Sequence, residues 1–145
     1  MVAKAEVTEV ICGFGHANIL ATHPSTVEFT KDVHLSKNGD CILVVAADKG
    51  LMDLSPEFID ALKKPNAKLI VKIEVGEVSE EIVAEGSSRL ALMHPVEMVL
   101  RKSEFVSERT LGIRADKAAK DLSRVLVDKL KNPNQMAKIT LKVRA

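Results

Sequence analysis

The chain has 145 residues, 46% of them hydrophobic and 28% charged, with a formal net charge of +1; that is enough apolar material for one core and excludes a disordered polyelectrolyte. No apolar run approaches the roughly 18 residues of a membrane span, and the N-terminal MVAKAEVTEV has no apolar h-region, so neither a membrane segment nor a secretory leader is expected. Cys12 and Cys41 lack CxxC spacing and read as reduced thiols of a cytoplasmic protein.

Taken in chain order, Val7 to Cys12 reads as a strand, with Gly13 and Gly15 marking a turn after it. Asn18 to Thr22 and Val27 to Thr30 are short β-type segments on either side of His23-Pro24, because a residue before proline is pushed to extended backbone. CILVVAA, Cys41 to Ala47, is a continuous apolar run of the kind found in strands buried on both faces. A helix follows, with Ser55 as N-cap, Pro56 in the first position and Glu57 favouring the positive end of the helix dipole. Phe58, Ile59 and Leu62 form its apolar stripe, and Pro65 stops it. Leu69, Val71, Ile73 and Val75 alternate as a strand, and Gly76-Glu77 is a two-residue hairpin turn into the next one.

From that turn onward the chain runs through the same phrases again. ADKGLMDLSPEFIDALKKPN, Ala47 to Asn66, nearly matches ADKAAKDLSRVLVDKLKNPN, Ala115 to Asn134. Roughly half of the window is identical, where chance predicts about one residue in fifteen or twenty. Upstream, GHANILATHP matches GSSRLALMHP and VTEVICGFG matches VSEEIVAEG; downstream, KLIVKIEV matches KITLKV. In the second copy Ala118 replaces Gly50 and Arg124 replaces Pro56, which permits an earlier helix start with Asp116 as N-cap. Its predicted stripe is Ala118, Ala119, Leu122, Val125, Leu126 and Leu130, with Ile139, Leu141 and Val143 alternating as the last strand. The expected architecture is a β-rich α+β single domain, residues 1–145, made of two tandem repeats of about 70 residues (3–75 and 76–145). They would be related by a pseudo-two-fold, as a barrel-like or curled antiparallel sheet with two helices.

Charge is unevenly placed. From Arg101 onward there are twelve basic and five acidic side chains, a balance of +7 that leaves −6 for the rest. Such asymmetry marks either an anionic partner or a solvated, salt-bridged face. Trp and Tyr are absent and only four Phe occur, which leaves little to stack bases on and weakens any single-strand nucleic-acid reading.

The phrases GHANILATHP, GDCILVVAADK, HPVEMVLRKSEF and ERTLGIRADKAAKDLSR, with the repeated A-D-K as the most specific part, resemble an archaeal family catalogued only as a domain of unknown function. The resemblance covers nearly the whole chain. It implies an archaeal, intracellular protein and brings no activity, substrate or cofactor with it.

Three groups of residues carry candidate chemistry. Asp48-Lys49 and Asp116-Lys117 sit at matched strand-to-helix junctions, where ligand-binding groups converge; near a pseudo-dyad they would face each other, or else serve as caps. His23 and His94 precede matched prolines, and their rings either bind and transfer protons or close turns on backbone amides. His16, His23 and Cys41 would make an N,N,S metal site if they converged, although no HxH, HExxH or CxxC spacing supports a metal. Arg101, Lys102 and Arg109 occur only in the second copy, and arginine forks bind phosphate or carboxylate. GFGHAN lacks the third glycine and the following helix of a dinucleotide loop, and neither GxxxxGK[ST] nor GxSxG occurs. The expected function is therefore a binding module without a cofactor, holding a small anionic ligand or structured RNA in a pseudo-symmetric cleft. A partner-binding structural protein, or an enzyme using the Asp, Lys and His groups, are the alternatives.

Overall fold

The structure, a computed structural model, describes residues 6–145; the first residues of the expected first repeat and the first half of the N-terminal stretch read for a leader lie outside it. Eight strands and two short helices follow in order: β1 (Glu6–Phe14), β2 (Thr26–Thr30), β3 (Ile42–Val44), α1 (Pro56–Leu62), β4 (Lys68–Val75), β5 (Val78–Glu85), β6 (Glu97–Arg101), β7 (Thr110–Gly112), α2 (Arg124–Lys129) and β8 (Met136–Arg144). A 3-10 turn precedes each helix, at Leu51–Asp53 and Ala119–Asp121. The fold is thus α+β and mostly β.

The strands form two four-stranded sheets, ordered β1-β8-β4-β5 and β3-β2-β6-β7. The first is antiparallel throughout, held by the long β1–β8, β8–β4 and β4–β5 ladders. Gly76, at φ +61, gives the β4–β5 hairpin the left-handed residue that its two-residue turn requires. The second sheet departs from the expected antiparallel, barrel-like or curled arrangement. β3 runs parallel to β2, and β7 parallel to β6. Each returns through a long connection, residues 31–41 and 102–109, which carries the chain back before it pairs. Among the described residues only single residue pairs, Phe14 with Val45 and Glu85 with Ile113, link one sheet to the other by β-bridges, so no closed barrel forms there.

The alternation along the strands positions one contiguous core. β4 turns Leu69, Val71, Ile73 and Val75 inward, and β8 turns Ala137, Ile139, Leu141 and Val143 inward, all fully buried. From the second sheet Val27, Phe29, Met98 and Leu100 join them, with Phe58, Leu62, Leu126 and Leu130 from the helices and their ends. The two halves of the chain are interlocked in this core. The amides of Gly15 and His16 donate to the carbonyls of Gln135 and Leu130, at the far end of the sequence.

Helix α1 begins as its sequence predicts, with the Ser55 hydroxyl accepting from the Phe58 amide and Pro56 in the first turn. Helix α2 does not begin early at Asp116. It starts at Arg124 after Ser123, because the Asp121 carboxylate accepts the Ala118 amide and closes a 3-10 turn first. Val125, assigned to the buried stripe, is 60% exposed, and Val127 is buried instead. The A-D-K stretch before the turn is extended, so the helical period starts later than the sequence suggests. Asn18 to Thr22 is loop, and the CILVVAA run pairs as a strand only over Ile42–Val44.

Candidate functional site

The A-D-K phrases are held by the edges of the first sheet. Asp48 exchanges two hydrogen bonds with Cys12 of β1: its amide donates to the Cys12 carbonyl at 2.9 Å and its Oδ1 accepts the Cys12 amide at 3.0 Å. Asp116 does the same with Val83 of β5, at 2.9 Å for both bonds. Each aspartate thus satisfies edge groups that another strand would otherwise pair. β1 and β5 are the opposite edges of a four-stranded sheet, three spacings or about 14 Å apart. The structure therefore does not bring the two phrases face to face.

Their lysines are engaged locally. Lys49 Nζ lies 2.9 Å from Glu9 Oε2, while Glu9 Oε1 accepts the amide of Ser55 ahead of α1. Burial opposes ionisation of Glu9, but Lys49 and the Ser55 amide outweigh it and hold its carboxyl below the usual range. Lys117 reaches Glu80 Oε2 at 3.2 Å and the Glu81 carbonyl at 2.9 Å, and Glu80 Oε1 accepts the Ser123 amide. The junctions are closed by the protein's own carboxylates.

The histidines close turns. His23 Nδ1 accepts from the amides of Ser25 and Thr26, and His94 Nδ1 from those of Val96 and Glu97. His16 Nδ1 accepts from the Asn18 amide. His16, His23 and Cys41 do not gather: among the described residues no group of three or more His, Cys, Asp or Glu side chains is arranged to hold a metal ion. Lys102, expected beside the two arginines, pairs with Asp121 at 3.0 Å, as Lys31 pairs with Asp53 at 3.3 Å.

Arg101 and Arg109 do come together, on the face of the second sheet turned away from the core. Across the central β2–β6 ladder, Thr26 faces Arg101, Glu28 faces Val99 and Thr30 faces Glu97. Residues directly opposite in a ladder share a face, and Val27 and Phe29 take the other one. Arg109 Nη1 donates to Glu97 Oε2 at 2.6 Å and to Glu28 Oε1 at 3.4 Å. Arg101 donates through Nε to Thr110 Oγ1 and through Nη2 to Ser107 Oγ, both at 3.0 Å. Cys41 Sγ sits 3.9 Å from Glu28 Oε1.

The electrostatics of this cluster are set by Glu28, which is only 3% exposed. Burial raises its carboxyl to about 7, helped by the Glu97 carboxylate and opposed by Arg109 and Arg101. Burial, then Glu28, pushes the Cys41 thiol up to about 11. The bond to Glu97 raises the Arg109 guanidinium, whereas burial and the neighbouring Arg109 lower that of Arg101. Both remain cations. Among the described residues Arg109 bonds only through Nη1, so its Nε and Nη2 donors have no protein acceptor; Arg101 Nη1 is likewise unengaged.

Glu28 and Glu97 were not among the residues singled out in the sequence. A signal existed. In the matched phrases Glu28 aligns with Val99 and Cys41 with Arg109, a change of chemistry at both positions. TVEFT also places Glu28 between Thr26 and Thr30 on one face of a short strand.

These features define a β-rich α+β protein of two open sheets, with an arginine–carboxylate cluster on the outer face of the second. The chain belongs to the DUF371 family, a domain of unknown function, which it matches over residues 11–144. It is 43% identical over 127 residues to the uncharacterized protein MJ0206 of Methanocaldococcus jannaschii, a match spanning 88% of this chain and 93% of that one. No helix among the described residues is long and apolar enough to cross a membrane.

Proposed function

We propose that the protein is a binding module whose ligand is a small anion, or an anionic group of a larger molecule, taken by Arg101 and Arg109. The observation that carries this reading is the unspent fork of Arg109. One nitrogen is anchored by two carboxylates, which fixes the guanidinium, and two more are left to donate to two oxygens of an anion. With Glu28 ionised, two guanidiniums are balanced by Glu28 and Glu97; with Glu28 protonated, the cluster carries one net positive charge. The +7 balance beyond Arg101 adds long-range attraction of the same sign.

The same reading takes the chain as a fused duplicate whose halves are related by a pseudo-two-fold. In support, the order strand, strand, strand, 3-10 turn, helix, strand occurs twice. Left-handed backbone recurs at matched positions, Ala21 with Leu92 and Ala46 with Arg114. The central β2–β6 ladder is one of those that join the halves, and the second copy supplies both arginines. Two free cysteines accord with a reducing cytoplasm. The A-D-K groups, spent on sheet edges, favour a structural role for that phrase over a catalytic one.

Calorimetric titration with inorganic phosphate and pyrophosphate at pH 6 and low salt tests the anion reading. Binding should weaken at least tenfold in Arg109→Lys, which keeps the charge and loses the fork, and should fall as salt rises. Arg109→Ala combined with Glu28→Gln removes the cation without stranding a buried carboxylate. If the wild-type chain binds neither anion, the reading fails.

A further inference from the structure

We propose that the exposed ring of Phe105 is a stacking platform for a nucleobase, so that the anion bound beside it is the phosphate of a nucleotide. The inference rests on the anion-binding reading and names its ligand class. Phe105 lies in the connection between β6 and β7 and is 62% exposed, whereas Phe29 and Phe58 are fully buried. The Arg101 guanidinium carbon sits 5.0 Å from the ring centroid. Arg101 is itself fixed by Thr110 and Ser107, so the ring rests on a clamped cation.

The ring also lines an open concavity of about 570 Å³ with Arg89, Glu104 and Val106. Arg101 packs against this ring and is not itself part of the lining. The loop is held in place around it. The Phe105 amide donates to Ser103 Oγ, the Ser107 amide donates to Thr110 Oγ1, and Arg89 Nη2 donates to the Glu104 carbonyl at 2.9 Å. The Glu104 carboxylate pairs with Arg114. A fixed aromatic face over open volume suits a flat π-system, and every base has one. Arg89 and Glu104 line the same concavity and bring a guanidinium and a carboxylate near it.

The stacking face and the anion site hang on one hydroxyl. Ser107 Oγ accepts from Arg101 Nη2 at 3.0 Å and from the Arg109 amide at 3.3 Å. A ligand with a planar ring and a phosphate on one scaffold meets both; a simple carboxylate or phosphate meets only the arginines. The source is either a free nucleotide or an unpaired nucleotide of an RNA.

With no Trp or Tyr, the aromatic proton spectrum contains only phenylalanine and histidine rings, so Phe105 can be followed directly. The probes are AMP, ribose 5-phosphate, and two RNA hairpins, one with an unpaired adenosine and one fully paired. AMP should move the Phe105 ring protons upfield, and ribose 5-phosphate should bind without moving them. Phe105→Leu, which keeps apolar bulk without an aromatic face, should weaken AMP about tenfold and leave ribose 5-phosphate unchanged. Tighter binding of the hairpin with the unpaired base than of AMP assigns the source to RNA; the reverse assigns it to free nucleotide; both support the platform. Equal binding of AMP and ribose 5-phosphate, insensitive to Phe105, overturns the platform and leaves the anion site standing. No binding of any probe overturns both. A concentration-dependent shift of Phe105 in the protein alone, showing the ring covered by a second copy, also overturns the platform.

Discussion

Arg109 Nη1 lies 3.4 Å from Oε1 of Glu28, a carboxyl group that is only 3% exposed and stands at the middle of the ladder joining β2 to β6. A half-exposed cation held over a buried acid makes the charge of this surface depend on pH. It also ties stability to the same proton.

Stability should fall as pH rises from about 4.5 to about 7. The folded-state value of Glu28 is raised above its ordinary 4.5 to about 7, so in that window the native state holds a proton that the unfolded chain has lost. The full effect above pH 7 is on the order of 3 kcal/mol, from about 1.4 kcal/mol per unit. Urea unfolding between pH 4 and 8 should show the slope in the wild type. In Glu28→Gln the part of the slope due to this group should disappear, leaving the variant more stable than the wild type at pH 8.

Affinity for phosphate should rise as pH falls through about 7, because protonating Glu28 leaves Arg101 and Arg109 opposed by Glu97 alone. Phosphate itself gains a proton over the same range, so sulfate, which does not titrate there, is the control probe. Glu28→Gln should bind sulfate at pH 8 as tightly as the wild type does at pH 6. A pH-independent wild-type affinity for sulfate would remove Glu28 from the mechanism.

Cys41 should resist alkylation. Its thiol is pushed up to about 11 by burial and by Glu28, so the thiolate that reacts is scarce at pH 8. Iodoacetamide labelling followed by peptide mass spectrometry should show slow modification of Cys41, accelerated in Glu28→Gln.

Asp48→Ala and Asp116→Ala should each cost about 1 kcal/mol or somewhat more, since each removes a carboxylate acceptor from an edge-strand amide. Neither should change anion affinity. A selective loss of binding without loss of stability would return the A-D-K phrase to the site.

Gly15→Ala should be among the most destabilising single changes, by about 2 to 4 kcal/mol, read from the denaturation midpoint. A methyl there would run into the backbone carbonyls of Leu130 and Asn132. That backbone contact brings the end of β1 against the end of α2.

Much of the architecture was written in local pattern. Period-two alternation marks β4 and β8, and Ser55-Pro56 and Gly76-Glu77 mark a helix start and the turn that leads into β5. These signals are readable because each depends on the few residues around it. The start of the second helix, at Arg124, is not legible in this way. Asp116 looks like a cap in isolation, but its carboxylate accepts the amide of Val83 on the edge strand β5.

Composition and spacing alone point to a β-rich chain whose phrases recur, with no metal-ligand motif and with its basic excess from Arg101 onward. Only tertiary structure decided that Arg101 and Arg109 share a surface while Lys102 leaves it for Asp121, and that Asp48 and Asp116 end on opposite edges of a sheet. The reason is physical. Strand periodicity dictates which face a side chain takes, but which strands become neighbours depends on long-range ladder pairing, and the raised proton affinity of Glu28 exists only once those neighbours have excluded water from it.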